Sequence, residues 1–169
     1  MKIINLKIKK FTYAHTNGKK ENLYVREYVE YYLNYGIDKL FIYDNNEKNG
    51  ERFEEVINDY INNGFVEIIN YRGLIPLQAK VYKNCYENNY KNYNWLIFFD
   101  MDEYLYLKNF KNIKTYLIKK RFNKCQRIQL NWIFLTDNNL IYYDNRILAE
   151  KFSQREKKLE GKKLEECKE

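Results

Sequence analysis

The stretch Trp95–Tyr104 reads WLIFFDMDEY, an apolar run followed directly by an Asp-Met-Asp-Glu run. A short, aromatic-rich apolar run bounded by polar residues is typical of a buried strand. Asp100 and Asp102 stand two residues apart, and in an extended segment such side chains point the same way. The pattern therefore predicts that both carboxylates bind Mg²⁺ or Mn²⁺ together with phosphate oxygens. A solvated acidic loop is the alternative interpretation of these residues.

Length and composition favour one folded domain. The chain has 169 residues, of which 45% are hydrophobic and 18% aromatic, and this excludes a disordered protein. We expect a single domain over residues 1–153 and a charged tail over 154–169. The tail has few apolar residues, so it should contribute little to the core, and its Glu–Lys pairs favour an exposed helix.

The net charge of +7 permits two interpretations. Basic clusters at 7–10 and 119–127 could attract the phosphates of a nucleotide, a nucleic acid or an anionic membrane surface. They could equally keep a lysine-rich protein soluble, which we favour. None of the usual nucleic-acid-binding motifs is present in the sequence, so no nucleic acid is expected as a partner.

Three cysteines, Cys85, Cys125 and Cys167, are widely spaced and odd in number. Neither a disulfide framework nor a zinc site fits this arrangement, which favours a reducing compartment. The sequence opens without a signal peptide and has no apolar run of transmembrane length. We therefore expect a cytoplasmic protein that meets any membrane-bound substrate peripherally, at the inner face of the membrane.

Hydrophobic periodicity predicts strands that alternate with helices. Strands are expected over residues 3–13, 40–43, 65–71, 95–99, 127–135 and 140–143. Helices are expected from Val25 to Gly36, from Phe53 to Gly64, over 76–90 and over 112–122. Such alternation is typical of an α/β domain with a largely parallel sheet.

Two of the predicted strands end in acid, at Tyr43-Asp44 and at Phe99-Asp100. Open parallel sheets bind ligands beyond the carboxyl ends of their strands. If both strands are parallel, Asp44 and the pair Asp100 and Asp102 open into one crevice, which predicts a nucleotide site. Alternatively, Asp44 only caps a turn with the asparagines that follow it.

Several ordered blocks carry a resemblance to a known family. They read KEN at 20–22, REYVEYYL at 26–33, GID at 36–38, FIYDN at 41–45 and WLIFFDMDEYL at 95–105, and a further segment spans 129–152. Together they resemble glycosyltransferases of the GT-A fold, in particular family 92 and the family 2-like group. The helix lacks the family's usual Trp and His, and Tyr28 and Tyr32 stand near these positions. The family normally continues beyond 152, so the resemblance implies a truncated domain, a frameshifted tail or half of a split protein.

The resemblance implies a GT-A-like, mainly parallel mixed sheet flanked by helices. It also implies transfer of a sugar from a UDP- or GDP-linked nucleotide sugar to a glycan or lipid-linked acceptor, with Mn²⁺ or Mg²⁺ held by the Asp-x-Asp motif. The implied nucleotide contacts are Glu21, Asp44, Gln78, Lys80 and Asp100. An inverting transfer also needs a general base, for which Asp137, Asp144 and Glu150 are candidates without a specific signature.

Other functions stay open on the sequence alone. A degenerate domain could bind a nucleotide sugar without turnover. A nucleotidyltransferase would also use acidic pairs on an α/β sheet, although the glycine-rich phosphate loop is missing near the N-terminus. A basic RNA-binding protein is the third alternative, and its binding should weaken steeply with salt.

Overall fold

The computed structural model describes residues 10–11, 21–74, 78–119, 122, 125–130, 135 and 166–168. The chain forms two compact units, Met1–Tyr116 and Leu117–Glu169. The predicted boundary between residues 153 and 154 stays a prediction.

Three parallel strands form the sheet of the first unit. They are β1 (Lys10–Phe11), β2 (Leu40–Asp44) and β3 (Val66–Asn70), in the spatial order β1-β2-β3. Leu40 is in register with Val66, and Asp44 with Asn70. All residues of β2 are buried, as expected for a strand that is covered on both faces of a parallel sheet. The predicted α/β class with a parallel sheet is confirmed at this level.

Helix α1 (Val25–Asn34) ends where the sequence predicted. Gly36 has a φ of 87°, and its N–H donates to the carbonyl of Leu33. The next N–H, of Ile37, donates to the carbonyl of Tyr32, which completes a Schellman motif. Only glycine adopts this left-handed conformation without strain, so Gly36 ends the helix and turns the chain towards β2.

Helices α2 (Glu54–Asn62) and α3 (Gln78–Asn89) follow the second and third strands. α2 is anchored by Phe53 and Ile57, both fully buried. Val81 and Cys85 of α3 pack against the side chains of Phe41 and Tyr43 in β2. These helices lie within the spans predicted from periodicity, shortened by a few residues at their ends.

The strand predicted at Trp95–Phe99 is wrong, because the structure assigns no strand to these residues. The segment is held by side chains instead. The ring of Phe98 lies 5.0 Å from that of Tyr82 in α3, and the ring of Phe99 lies 5.8 Å from that of Tyr32 in α1. A short apolar run is equally compatible with a strand and with an irregular segment held between helices, and periodicity cannot separate the two.

The short helix α4 (Ile113–Leu117) covers the first half of the helix predicted over 112–122. In the second unit, β4 (Arg127–Gln129) pairs antiparallel with β5 (Glu166–Lys168). The exposed helix expected in the tail is therefore wrong at 166–168, where the chain forms a strand. The strand predicted at 140–143 lies outside the described residues.

The cysteines differ from the sequence prediction. Cys85 is a buried thiol outside any disulfide, whereas Cys125 is disulfide-bonded, which the odd number and wide spacing of the cysteines did not predict. In the described part of the chain, no helix has both the length and the apolar character needed to span a bilayer.

Candidate functional site

Asp44 closes β2 and forms a buried ion pair with Arg72, which follows β3. Arg72 Nη1 donates to Asp44 Oδ2 at 2.6 Å, and the two side chains are 8% and 1% exposed. The other carboxylate oxygen, Oδ1, accepts from the backbone N–H of Asn46 at 3.0 Å. Oδ1 therefore caps the turn, in agreement with the alternative interpretation of Asp44. Oδ2 forms an ion pair that was not predicted from the sequence.

Arg72 also fixes the loop that follows β2. Its Nη1 donates to the carbonyl of Glu51 at 2.6 Å, and its Nη2 donates to that of Gly50 at 2.7 Å. The N–H of Asn22 donates to Glu51 Oε2 at 3.3 Å, and its side-chain amide donates to the carbonyl of Arg52 at 3.0 Å. These contacts bring the turn that carries Glu21 next to the loop around Asp44.

Two buried donors at this site lack a hydrogen-bond partner among the described residues. They are Asn46 Nδ2 and Arg72 Nε, on side chains that are almost fully buried. Buried donors are nearly always satisfied by protein, water or ligand. Two such donors beside the carboxylate of Asp44 therefore indicate a place where an oxygen-bearing group can bind. An arginine two residues after β3 was a sequence signal for this site, since neighbouring parallel strands end at the same edge.

The Asp-Met-Asp-Glu run forms a turn. The N–H of Glu103 donates to the carbonyl of Asp100 at 3.0 Å, and Glu103 Oε2 accepts from the N–H of Asp100 at 2.9 Å. The extended conformation assumed for Asp100 and Asp102 is therefore wrong. Met101 is buried inside the turn, Asp100 is half-buried and Asp102 is exposed. We call residues 100–103 the acidic turn.

Tyrosines of α1 hold the chain directly after the acidic turn. The Tyr32 hydroxyl donates to the carbonyl of Glu103 at 2.9 Å and accepts from the N–H of Leu105 at 3.1 Å. The Tyr31 hydroxyl donates to the carbonyl of Leu105 at 2.5 Å. The ring of Tyr104 packs edge-on against those of Tyr28 and Tyr31, at 5.7 and 4.9 Å. We call Tyr28, Tyr31, Tyr32 and Tyr104 the tyrosine clamp.

Burial keeps the tyrosine clamp uncharged. It raises the pKa of Tyr28, Tyr31, Tyr32 and Tyr104 above the usual range of a phenol, because the ionised form loses hydration. Nearby Asp102 adds to the effect on the pKa of Tyr104, although its contribution is smaller than that of burial. The hydroxyls of Tyr31 and Tyr32 therefore act as neutral hydrogen-bonding groups that position the chain after the acidic turn, while the rings of Tyr28 and Tyr104 pack beside them.

The carboxylates of the acidic turn can hold a divalent cation only if a bound ligand supplies further oxygen atoms to the metal. In the described part of the chain, no group of three or more His, Cys, Asp or Glu side chains could hold a metal ion. Asp100 and Asp102 supply oxygen donors, while an oxygen of Glu103 already accepts a backbone N–H. Mg²⁺ is commonly bound by one or two carboxylates plus water and substrate phosphates. The donor set suits a metal that arrives with a diphosphate.

The remaining candidate residues are spread over the chain. Gln78 is the first residue of α3, and Lys80 is exposed on the same helix. Glu21 lies in a 3-10 turn at Glu21–Leu23. The three candidate bases, Asp137, Asp144 and Glu150, lie outside the described residues.

The comparisons with known proteins identify a family. The family model of glycosyltransferase family 92 matches residues 13–163, which is most of the chain. The chain therefore belongs to glycosyltransferase family 92. No curated protein and no solved structure matches it.

Proposed function

We propose that the protein transfers a sugar from a UDP- or GDP-linked donor to a glycan or lipid-linked acceptor, with a GT-A-like arrangement of the sheet. Membership of family 92 supports glycosyl transfer over nucleotidyl transfer. The observation that carries the site assignment is the acidic turn, whose backbone is fixed by the tyrosine clamp while Asp102 stays exposed. Preorganised backbone beside an accessible carboxylate is what a binding site for a metal and a diphosphate requires.

In this proposal Asp100 and Asp102 hold Mn²⁺ or Mg²⁺. The metal would stabilise the negative charge that gathers on the departing diphosphate as the acceptor hydroxyl attacks the anomeric carbon. The protein's own part is to hold the two carboxylates in place, through the hydrogen bonds that close the acidic turn and through the hydroxyls of Tyr31 and Tyr32. A general base must accept the proton of the acceptor hydroxyl in an inverting transfer, and Asp137, Asp144 and Glu150 remain its candidates.

The nucleoside of the donor would lie beside Asp44. Both oxygens of Asp44 are engaged by the protein, so we propose that Asp44 acts by fixing Arg72 and the turn at Asn46. The unpartnered Nδ2 of Asn46 and Nε of Arg72 would then donate to oxygens of the base or ribose. Glu21, Gln78 and Lys80 are further proposed contacts to the donor.

Direct measurement of turnover tests the proposal. The full chain is incubated with Mn²⁺ and a panel of radiolabelled UDP- and GDP-sugars. Slow hydrolysis or transfer with one donor, lost in Asp102→Asn, would support a glycosyltransferase. Tight donor binding without turnover would support a degenerate binding domain, and lack of binding to any sugar nucleotide would contradict the proposal.

A cytoplasmic location, peripheral to the inner face of the membrane, is also a proposal. The thiol of Cys85, which forms no disulfide, is compatible with this location, but the disulfide at Cys125 argues for an oxidising compartment, where disulfides persist. Alkylation of the freshly extracted protein, followed by mass spectrometry, decides the matter. Full alkylation of Cys125 before reduction supports the cytoplasm, and protection of Cys125 contradicts it.

A further inference from the structure

A groove of about 600 Å³ lies between the C-terminal half of α1 and the segment 106–111. Its volume falls within the range of small-ligand sites. The lining is mostly aromatic and basic. It includes Tyr31, Tyr35, Tyr106, Lys108, Phe110 and Lys111. We call it the tyrosine–lysine groove.

The aromatic wall of this groove is rigid. The rings of Tyr31 and Tyr35 stack with centroids 5.2 Å apart and an angle of 13° between their planes. Each hydroxyl is tied to backbone, since Tyr31 donates to the carbonyl of Leu105 and Tyr35 accepts from the N–H of Leu107 at 2.9 Å. Side chains fixed before binding lose little conformational entropy when a ligand arrives.

The chemistry of the wall suits sugar rings. The face of an aromatic ring carries partial negative charge, which attracts the weakly positive C–H groups on the flat side of a pyranose. Tyr106 adds an aromatic side chain that is 69% exposed. Its ring extends the aromatic surface that a sugar ring can cover beside the rigid wall.

The positive charge of the groove favours sugars that carry acidic groups. Lys108 and Lys111 are exposed, and the described residues that line the groove include no Asp or Glu. No ion pair to either lysine is seen in the described part of the chain. Two ammonium groups without a carboxylate favour an anionic ligand, and the neighbouring asparagines can bond to hydroxyls.

The groove adjoins the acidic turn. The ring of Tyr31, which lines the groove, contacts that of Tyr104, the residue that follows Glu103. We propose that the tyrosine–lysine groove binds a negatively charged oligosaccharide, the acceptor chain of the transferase, with aromatic rings under its sugars and lysines on its acidic groups. The acceptor role rests on the function proposed above, whereas binding itself is measurable without donor or metal.

Calorimetric titration of the full chain tests this proposal. A hyaluronan octasaccharide carries carboxylates, a phosphomannan oligosaccharide carries phosphates, and chitohexaose is neutral. We expect saturable binding of at least one acidic probe, and the two acidic arms distinguish carboxylate from phosphate. Chitohexaose should bind more weakly, because it lacks the groups that pair with Lys108 and Lys111.

Two variants locate the binding on the groove. The double change Lys108→Gln and Lys111→Gln should weaken the acidic probe about tenfold, because charge-assisted bonds are lost. Tyr106→Ala should also weaken it. Matched controls on α3 and just after it are Tyr86→Ala and Lys91→Gln, which alter an exposed aromatic ring and an exposed lysine outside the groove. They should leave the affinity unchanged, and melting curves show that each variant is folded.

Several outcomes would overturn the proposal. These are equal affinity for acidic and neutral probes, absence of binding, affinity unchanged by the groove variants, or tighter binding of a single-stranded RNA. Titration of UDP with Mn²⁺ on the same preparation separates the two proposals. Saccharide binding without UDP binding would support saccharide binding by the groove and contradict the proposed transferase function. If the double lysine variant transferred sugar to an acceptor at an undiminished rate, only the proposal for the groove would be contradicted.

Discussion

Asp44 and the acidic turn are both acidic groups at the ends of apolar runs, yet their surroundings are opposite. The carboxylate of Asp44 is 1% exposed, paired with Arg72 and bonded to the N–H of Asn46. In the acidic turn the backbone is fixed by neutral tyrosines, while the side chain of Asp102 is exposed. The difference indicates that Asp44 organises its surroundings, whereas the acidic turn leaves the carboxylate of Asp102 exposed.

The Asp44–Arg72 pair should give the largest loss of stability. Arg72→Met leaves the carboxylate of Asp44 buried without its counter-ion and frees the carbonyls of Gly50 and Glu51. We expect the free energy of unfolding to fall by about 3–5 kcal/mol. Urea denaturation measures it. The control is Lys83→Gln, which breaks an exposed pair with Glu87 and should cost less than about 0.5 kcal/mol. Similar values for both variants would contradict the structural role of Asp44.

The tyrosine clamp should give a smaller loss. Tyr32→Phe keeps the ring but leaves the N–H of Leu105 buried without its acceptor. A buried unsatisfied group costs about 1–3 kcal/mol, and we expect a loss of that size in urea denaturation. Hydrogen exchange at Leu105 should also speed up, because the hydroxyl that protects this amide is gone. Tyr86→Phe, at an exposed tyrosine, is the matched control, and equal effects in both variants would mean that the clamp adds nothing.

Alkaline pH should destabilise the fold through the tyrosine clamp. Burial raises the pKa of Tyr28 and Tyr32 above the ordinary value of 10.0. Below pH 10 both phenols are neutral in folded and unfolded chains, so their stabilising effect is fully present. As pH rises further, the unfolded chain loses protons first, and the free energy of unfolding falls by about 1.4 kcal/mol per pH unit for each such tyrosine.

Unfolding in urea between pH 9 and 11.5 measures this slope. Tyr28→Phe removes one of the shifted groups, so its slope above pH 10 should be shallower than that of the unchanged chain. Tyr86→Phe, which changes an exposed tyrosine, is the matched control. A slope that Tyr28→Phe does not alter would show that the pKa of Tyr28 is not raised by folding.

Part of this fold follows directly from the sequence. The buried run at Leu40–Asp44 and the glycine after α1 predicted a strand and a helix end that the structure shows. The run at Trp95–Phe99 has the same local pattern but is held by rings of α1 and α3 instead of a strand ladder. Only tertiary contacts distinguish the strand from the irregular segment, so the local sequence pattern could not predict which of the two would form.

The candidate site shows the same limit. The sequence pointed to Asp44, Asp100 and Asp102, because acid directly after an apolar run is a local signal. Arg72 lies 28 residues from Asp44, and Tyr32 lies 73 residues from Leu105. Side chains that fix a site from such distances are visible only once the fold is known.

We propose that the acidic turn presents Asp102 for a metal and a diphosphate. Asp102→Asn removes one charge from an exposed side chain, so the free energy of unfolding should change by less than about 0.5 kcal/mol. Calorimetric titration of UDP and GDP into this variant and into the unchanged chain, with and without Mn²⁺, is the most direct test. We expect Mn²⁺-dependent binding of a nucleoside diphosphate that Asp102→Asn abolishes while the chain stays folded. Unchanged Mn²⁺-dependent affinity in Asp102→Asn would contradict it.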